Sequence, residues 1–96
     1  MPEYRLSPAA ERDLADIWRY TNKQWGKEQA NRYTLGLKAM FAKLADAPQQ
    51  GQGCTNIRLG YRRRGTEHHM IYFQQTSYGI AIIRILHQRM DAVRHL

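Results

Sequence analysis

The sequence predicts an α+β fold in which a helical hairpin packs on one face of a mostly antiparallel sheet. Two amphipathic segments follow each other with a break of only a residue or two around Gly26. They must therefore fold back on each other as an antiparallel pair. Three strand-like segments come after them. Each helical stripe is too narrow to be buried by the other helix alone, so both helices need a sheet beneath them.

One strand and two helices are predicted in the N-terminal half. Glu3–Leu6 has the pattern of a short strand. Ser7 and Pro8 start the first helix, because serine caps a first turn and proline suits the first helical position. This helix ends near Trp25, and the second begins near Lys27. Apolar positions recur every three or four residues along both: Leu14, Ile17, Trp18, Thr21 and Trp25 in the first, and Ala30, Tyr33, Leu37, Met40, Phe41 and Leu44 in the second.

The C-terminal half is predicted to contain a loop over residues 49–56 and then three strands. Leu59–Arg64 is polar and rich in arginine, whereas Glu67–Gln75 contains an apolar run that suits a central strand. Ile80–Gln88 is the most hydrophobic of the three. The predicted order is β-α-α-β-β-β, with residues 1–96 forming a single domain.

Composition limits the classes of function. The chain has 96 residues, a net charge of +7 and a pI of about 10.0. This charge favours an anionic partner such as nucleic acid, a nucleoprotein complex or an acidic protein, with solubility alone as the alternative. The single cysteine, Cys54, excludes an internal disulfide and is expected to be structural or incidental. No long apolar run is present, so we expect no signal peptide, no membrane segment and a cytoplasmic location.

The arginines of the predicted sheet are the first candidates for binding. Successive side chains of a strand point to opposite faces, so Arg62, Arg63 and Arg64 alternate. The face that the helices leave uncovered would be a binding surface, because it still carries apolar residues. Strict alternation gives the last strand one face with Ile83, Ile85 and His87, and another with Ile82, Arg84, Leu86 and Gln88.

Arg84 has two interpretations. Its planar guanidinium group can form paired hydrogen bonds with a carboxylate or phosphate of a partner. Alternatively, it is a solvated surface charge that pairs with Glu67 or Asp91.

Histidines offer little evidence for metal binding and some for acid–base chemistry. His68 and His69 are adjacent in a strand and point apart, and no cysteine or carboxylate lies at ligand spacing, so we predict no metal site. His87 or His95, near Arg89, could act as a general acid or base in RNA cleavage, with arginines stabilising the developing charge. A structural role for His87 is the alternative. No glycine-rich phosphate loop is present, and no cofactor is predicted.

Aromatic side chains on the helices are predicted to be core residues. Trp18, Trp25, Tyr33 and Phe41 all lie on the apolar stripes. Platforms for base stacking are the alternative, but no RNA-binding signature accompanies them.

Several ordered segments resemble the ParE/RelE superfamily of toxins. They are YRLSPAAERDLADIWRYT at the start, LGYRRR and HHMIYF in the middle, and IIRILHQRMDAVRHL at the end, of which RILHQRMD is the most specific. The resemblance implies the toxin of a bacterial type II toxin–antitoxin module. ParE-like members inhibit DNA gyrase by stabilising its cleaved-DNA complex. A ParD-like antitoxin wraps them along the hairpin and the sheet and supplies the domain that binds operator DNA.

Roles for individual residues follow from this resemblance. The target-binding residues would be Arg63, Arg84, His87, Arg89, Met90 and His95. The antitoxin-binding residues would be apolar positions left over on the hairpin and sheet, namely Trp18, Tyr33, Leu37, Ile82 and Leu86. The protein would act by binding and would not be an enzyme.

Two alternatives to a gyrase inhibitor are open. One is a RelE-like ribosome-dependent mRNA endoribonuclease, whose catalytic set would be Arg62, Arg84, Arg89 and His95. The lysines that such enzymes use have no match in residues 49–58, and the terminal tyrosine is absent, which disfavours this reading. The other is a non-toxic binding module of the same fold.

Overall fold

A computed structural model describes residues 2–54 and 57–96. Residues 55 and 56, at the end of the predicted loop, lie outside this part. The elements are β1 (Glu3–Leu6), α1 (Pro8–Trp25), α2 (Lys27–Asp46), a 3₁₀ turn (Pro48–Gln50), β2 (Gln52–Gly53), β3 (Tyr61–Gly65), β4 (His69–Gln75), β5 (Gly79–His87) and α3 (Ala92–His95). The predicted order and α+β class are confirmed, and the elements of the described residues that the sequence interpretation missed are the short 3₁₀ turn, β2 and α3. None of the described helices is long and apolar enough to cross a bilayer.

The sheet has the strand order β1-β5-β4-β3-β2. β1 runs parallel to β5, and the other neighbouring strands are antiparallel. The mostly antiparallel sheet is therefore confirmed. A parallel pair requires a long connection, and here the helical hairpin and strands β2, β3 and β4 lie between β1 and β5 in the chain.

The hairpin forms where local signals predict it. The Ser7 hydroxyl accepts a hydrogen bond from the Ala10 amide at 3.0 Å, and Pro8 occupies the first turn of α1. Gly26 separates the two helices with φ of 95°. This left-handed backbone favours glycine, so the chain reverses at a single residue.

Both faces of the sheet are covered. On one face the buried residues of the hairpin pack against the sheet, and the largest are Leu37, Phe41, Leu44, Ile71, Phe73, Ile80 and Ile82. On the other face Tyr72 and Leu86 pack with Cys54, and Ala92 and Leu96 cover them. The expectation of an uncovered apolar face is therefore wrong, because the end of the chain folds back over it.

A β-bulge in β5 changes which residues face the helices. Phe73 pairs with Ile82, but the preceding residue of β4, Tyr72, pairs with Arg84, so Ile83 is an extra residue in β5. A bulge of this kind reverses the alternation of faces along the strand. Ile82 consequently lies in the core with the hairpin, whereas Leu86 lies on the opposite face. The prediction that Ile82 shares a face with Arg84 and Leu86 is wrong for this reason.

Candidate functional site

The C-terminal tail, residues 89–96, presents a basic and apolar surface. Its inner side packs on the sheet through Ala92 and Leu96. The Asp91 carboxylate caps α3 by accepting a hydrogen bond from the Val93 amide at 3.1 Å. Met90 is 48% exposed and Val93 is 69% exposed. With the exposed Arg89 and Arg94 they form what we call the tail surface, which suits a partner that offers both carboxylates or phosphates and apolar contacts.

Arg84 is the internal anchor of this tail. Its Nε and Nη2 donate to the two oxygens of Asp13 at 2.7 and 2.9 Å, and its Nη1 donates to the carbonyl of His95 at 3.0 Å. The hydrogen bonds that Arg84 donates to Asp13 raise the pKa of Arg84 above its usual value. The predicted surface pair with Glu67 or Asp91 is wrong, because Asp13 reaches Arg84 from α1.

The three consecutive arginines of β3 have different surroundings. Arg62 donates to the carbonyls of Pro48 and Gly51 at 3.1 and 2.6 Å, and Arg64 donates to that of Gln50 at 3.0 Å. These bonds hold the 3₁₀ turn against the sheet. Arg63 pairs in register with Tyr72 on the face that the tail covers. Burial raises the pKa of the nearby Cys54 thiol, although the charges of Arg63 and Arg62 act in the opposite direction.

The four residues of the ribonuclease alternative do not converge on one point. Arg62 is in register with Phe73, on the hairpin face of the sheet. Arg84 is in register with Tyr72, on the tail face. His95 approaches Arg84 through its carbonyl oxygen. A phosphoryl-transfer site needs its charged groups around one phosphate, and this set is divided between two faces.

A second surface is an open groove of about 920 Å³ between the hairpin and the end of the sheet, which we call the histidine groove. Its walls carry Tyr33, His68, His69 and His87. The Tyr33 hydroxyl lies 2.6 Å from Nδ1 of His69, and the rings of His69 and His87 are 5.5 Å apart. Nδ1 of His87 accepts a hydrogen bond from the Arg89 amide at 3.2 Å.

His69 is held in its neutral form. Burial lowers the pKa of His69 to about 4, the charges of His87 and His68 act in the same direction, and that of Asp13 opposes them. Within residues 2–54 and 57–96, no group of three His, Cys, Asp or Glu side chains is arranged to hold a metal ion.

A smaller cavity of about 310 Å³ lies between α1, α2 and the end of β1, and we call it the hairpin groove. Leu14, Ala15 and Trp18 line it from α1, and Thr34 and Lys38 line it from α2. Trp18 is held in place because its Nε1 donates to Asn31 Oδ1 at 2.8 Å.

Of the five residues predicted to bind the antitoxin, two lie at a groove. Trp18 lines the hairpin groove and Tyr33 lines the histidine groove. Leu37, Ile82 and Leu86 are at most 2% exposed. Their expected position as leftover surface residues is wrong, because the hairpin and the tail bury them.

Two further residues differ from the sequence interpretation. Trp25, predicted to be core, is 75% exposed because it lies in the last turn of α1, at the histidine groove. Asp13 was not among the candidates, and its partner Arg84 is 71 positions away. The sequence places Asp13 in the second turn of α1, but its burial, and hence its need for a cation, depends on how α1 packs along β5.

Comparison with known proteins identifies close relatives along the whole chain. A family model described as the ParE toxin of the type II toxin–antitoxin system, parDE, matches residues 4–92. Toxin ParE1 of Caulobacter vibrioides is 43% identical over 96 residues, which cover 100% of this chain and 99% of that protein. Toxin ParE1 of Mycobacterium tuberculosis is 40% identical over 94 residues, covering 97% and 96%. Toxin ParE of Escherichia coli is 32% identical over 97 residues, covering 100% and 94%.

A solved structure has the same fold. It is described as the chromosomal ParDE TA system from P. aeruginosa. Its chain superposes with a TM-score of 0.78 at 22% identity, over 91% of this chain and 96% of that chain. The likeness supports the arrangement of hairpin and sheet described above.

Proposed function

Because this chain belongs to the ParE toxin family of type II toxin–antitoxin systems, we propose that it inhibits DNA gyrase and that a ParD-like antitoxin neutralises it. The observation that carries the proposal is the tail surface. Two exposed apolar side chains, Met90 and Val93, lie there between two exposed arginines, on a chain with a net charge of +7. Such a surface fits a large anionic assembly such as gyrase bound to DNA.

Inhibition by binding, without catalysis, agrees best with the geometry. Arg62 and Arg84 lie on opposite faces of the sheet, and both guanidinium groups bond to the protein itself. His69 is neutral at pH 7 and is bonded to Tyr33. These observations favour a gyrase inhibitor over the RelE-like ribonuclease.

The ParD-like antitoxin would occupy the hairpin groove. The walls of this groove are mainly apolar, and Trp18 offers a large aromatic surface in a fixed orientation. An amphipathic antitoxin segment could bury that surface. The antitoxin segment would contact Tyr33 where it reaches the histidine groove. Operator DNA would be bound only through the antitoxin, and the protein would act on gyrase in the cytoplasm.

A supercoiling assay with purified gyrase and no ribosomes tests the proposal. The protein should block supercoiling, and a ParD-like antitoxin should restore it. Arg89→Glu with Arg94→Glu should weaken inhibition by at least about tenfold, since two attractive charges become repulsive. The matched control is Lys27→Glu with Lys43→Glu, which makes the same change of charge on the exposed side of α2.

Other outcomes identify the alternatives. Intact supercoiling at saturating protein, together with cleavage of ribosome-bound mRNA, would refute gyrase inhibition and support the ribonuclease. Normal growth of cells that express the chain without an antitoxin would support the non-toxic binding module.

A further inference from the structure

We propose that Asp13 is a positioning residue that acts through Arg84 to hold the C-terminal tail where the tail surface faces its target. The proposal rests on the proposed function of that surface. It assigns to Arg84 an internal role in place of direct contact with the target. Two sets of contacts and one property of the tail carry the inference.

The first set lies along the open edge of β5. β1 pairs with β5 as far as Leu6 and Ile82, and no strand among residues 2–54 and 57–96 pairs with this edge beyond that point. Beyond it, side chains of the α1 segment form hydrogen bonds with the backbone of β5. The Ser7 hydroxyl donates to the Ile83 carbonyl at 2.8 Å, and Asp13 Oδ2 accepts from the Ile85 amide at 2.9 Å. Backbone N–H and C=O groups at a strand edge are costly to bury without hydrogen-bond partners. Asp13 provides such a partner close to the β-bulge.

The second set joins this edge to the tail. The Asp13 carboxylate receives three hydrogen bonds, one from the Ile85 amide and two from Arg84, and Arg84 donates a further bond to His95. The side chains of Arg84 and Asp13 are only 23% and 13% exposed. Bidentate pairs with little exposure are geometrically specific and are weakly screened by solvent. The exposed pair Arg94–Asp91 within the tail lacks these properties.

The third observation is that the tail has little structure of its own. α3 is only four residues long, and a helix of that length is not stable alone. Ala92 and Leu96 pack against the sheet, but apolar contact does not fix an orientation as a fork-shaped hydrogen bond does. The bond from Arg84 to the His95 carbonyl therefore determines how α3 lies and where Arg89 and Arg94 point.

Hydrogen exchange on the full chain tests the anchor directly. In Asp13→Asn the carboxylate charge is lost while the side-chain shape is retained. Exchange at the amides of Arg94 and Leu96, which bond to Asp91 and Ala92, should rise by at least about tenfold, because charge-assisted bonds are lost. Gyrase inhibition should weaken by about the same factor, and affinity for the antitoxin should stay within about twofold. Asp46→Asn, the same change at an exposed position at the end of α2, should alter none of these.

A double-mutant cycle shows whether Asp13 and Arg84 act together or independently on the tail. If Asp13 acts through Arg84, Asp13→Asn combined with Arg84→Gln should loosen the tail no more than the stronger single variant. Additive effects would contradict this. Should Asp13→Asn fail to fold, Arg84→Lys provides the test, since lysine keeps the charge near Asp13 and loses the fork.

Failure of this proposal is distinguishable from failure of the proposed function. Unchanged tail exchange in both Asp13→Asn and Arg84→Lys overturns the anchor, whatever the target is. A loosened tail with undiminished gyrase inhibition overturns the positioning role. A native chain that does not inhibit gyrase refutes the target, and the exchange measurements then still decide whether Asp13 holds the tail.

Discussion

The hydroxyl of Tyr33 lies 2.6 Å from Nδ1 of His69, and this contact joins α2 to the first residue of β4. The Thr66 hydroxyl donates to the backbone carbonyl of His69 at 3.1 Å. His69 is therefore bonded from two sides at the edge of the core, with His87 as its cross-strand neighbour. Desolvation in this position disfavours the charged imidazolium, which makes His69 a determinant of stability at low pH.

Stability should fall as pH decreases from about 6.5 to about 4. The pKa of His69 is lowered from 6.5 to about 4 in the folded chain, so the unfolded state binds more protons in this window. The stability that the neutral His69 contributes is complete above pH 6.5. It is lost as the pH falls towards 4, because the histidine of the unfolded chain takes up a proton first. The full shift corresponds to about 3 kcal/mol, and partial exposure of the ring leaves about 1–2 kcal/mol. Urea titrations of the native chain between pH 4 and 7 measure it.

His69→Gln isolates this contribution. Glutamine bonds to Tyr33 but does not titrate, so the variant should lose less stability than the native chain over the same pH range. The control is His68→Gln, which removes an exposed neighbouring histidine. It should alter the pH dependence much less, because the charge of His68 contributes less than burial to the lowered pKa of His69. Parallel pH profiles for His69→Gln and the native chain would contradict the prediction.

Neighbouring arginines of β3 should respond differently to the same substitution. Arg62→Gln should lower the free energy of unfolding by about 1–3 kcal/mol, because two bonds to the carbonyls of Pro48 and Gly51 are lost. Arg63→Gln, on the opposite face, should change it by less than about 0.5 kcal/mol and should instead weaken gyrase inhibition. Urea denaturation and supercoiling assays on both variants measure the two effects. An equal loss of stability in the two variants would contradict the prediction that Arg62 is structural and Arg63 is not.

Gly51 is required by close packing. A Cβ atom at Gly51 would overlap the ring of Phe73, and that ring is fully buried. Gly51→Ala should therefore destabilise the fold by about 1–3 kcal/mol. A Cβ atom at Gly53 meets no described atom within 4 Å, so Gly53→Ala should change stability by less than about 0.5 kcal/mol. Thermal unfolding compares the two, and a tolerated Gly51→Ala would mean that the Phe73 ring has room to move.

Trp18 should be an anchor for the antitoxin. Trp18→Ala removes the largest aromatic side chain of the hairpin groove, and an anchor of this type is worth about 2 kcal/mol or more, roughly thirtyfold in Kd. Calorimetric titration with a ParD-like antitoxin measures it. Leu35→Ala is the control, because Leu35 is 65% exposed on α2 and lies outside both grooves. An unchanged Kd for Trp18→Ala would place the antitoxin elsewhere.

Much of the fold was predictable because its signals are local. The serine cap, Pro8 and the glycine break define both helices, and α1 ends at Trp25 as predicted. The three C-terminal strands agree with their predicted bounds to within two residues. Among the site residues, the exposed positions of Arg89 and Met90 follow from a short C-terminal tail that lies beyond the last predicted strand.

The remainder depends on contacts between distant segments. The alternation of a strand predicts that Ile82 and Arg84 share a face, and only the pairing of β5 with β4 reveals the bulge that separates them. The burial of Leu86 depends on the return of Leu96 over the sheet. Charge and periodicity in the sequence determined a basic α+β chain with a helical hairpin. The tertiary structure decided that Asp13 neutralises Arg84, because a carboxylate and a guanidinium 71 positions apart meet only when α1 packs along the edge of β5.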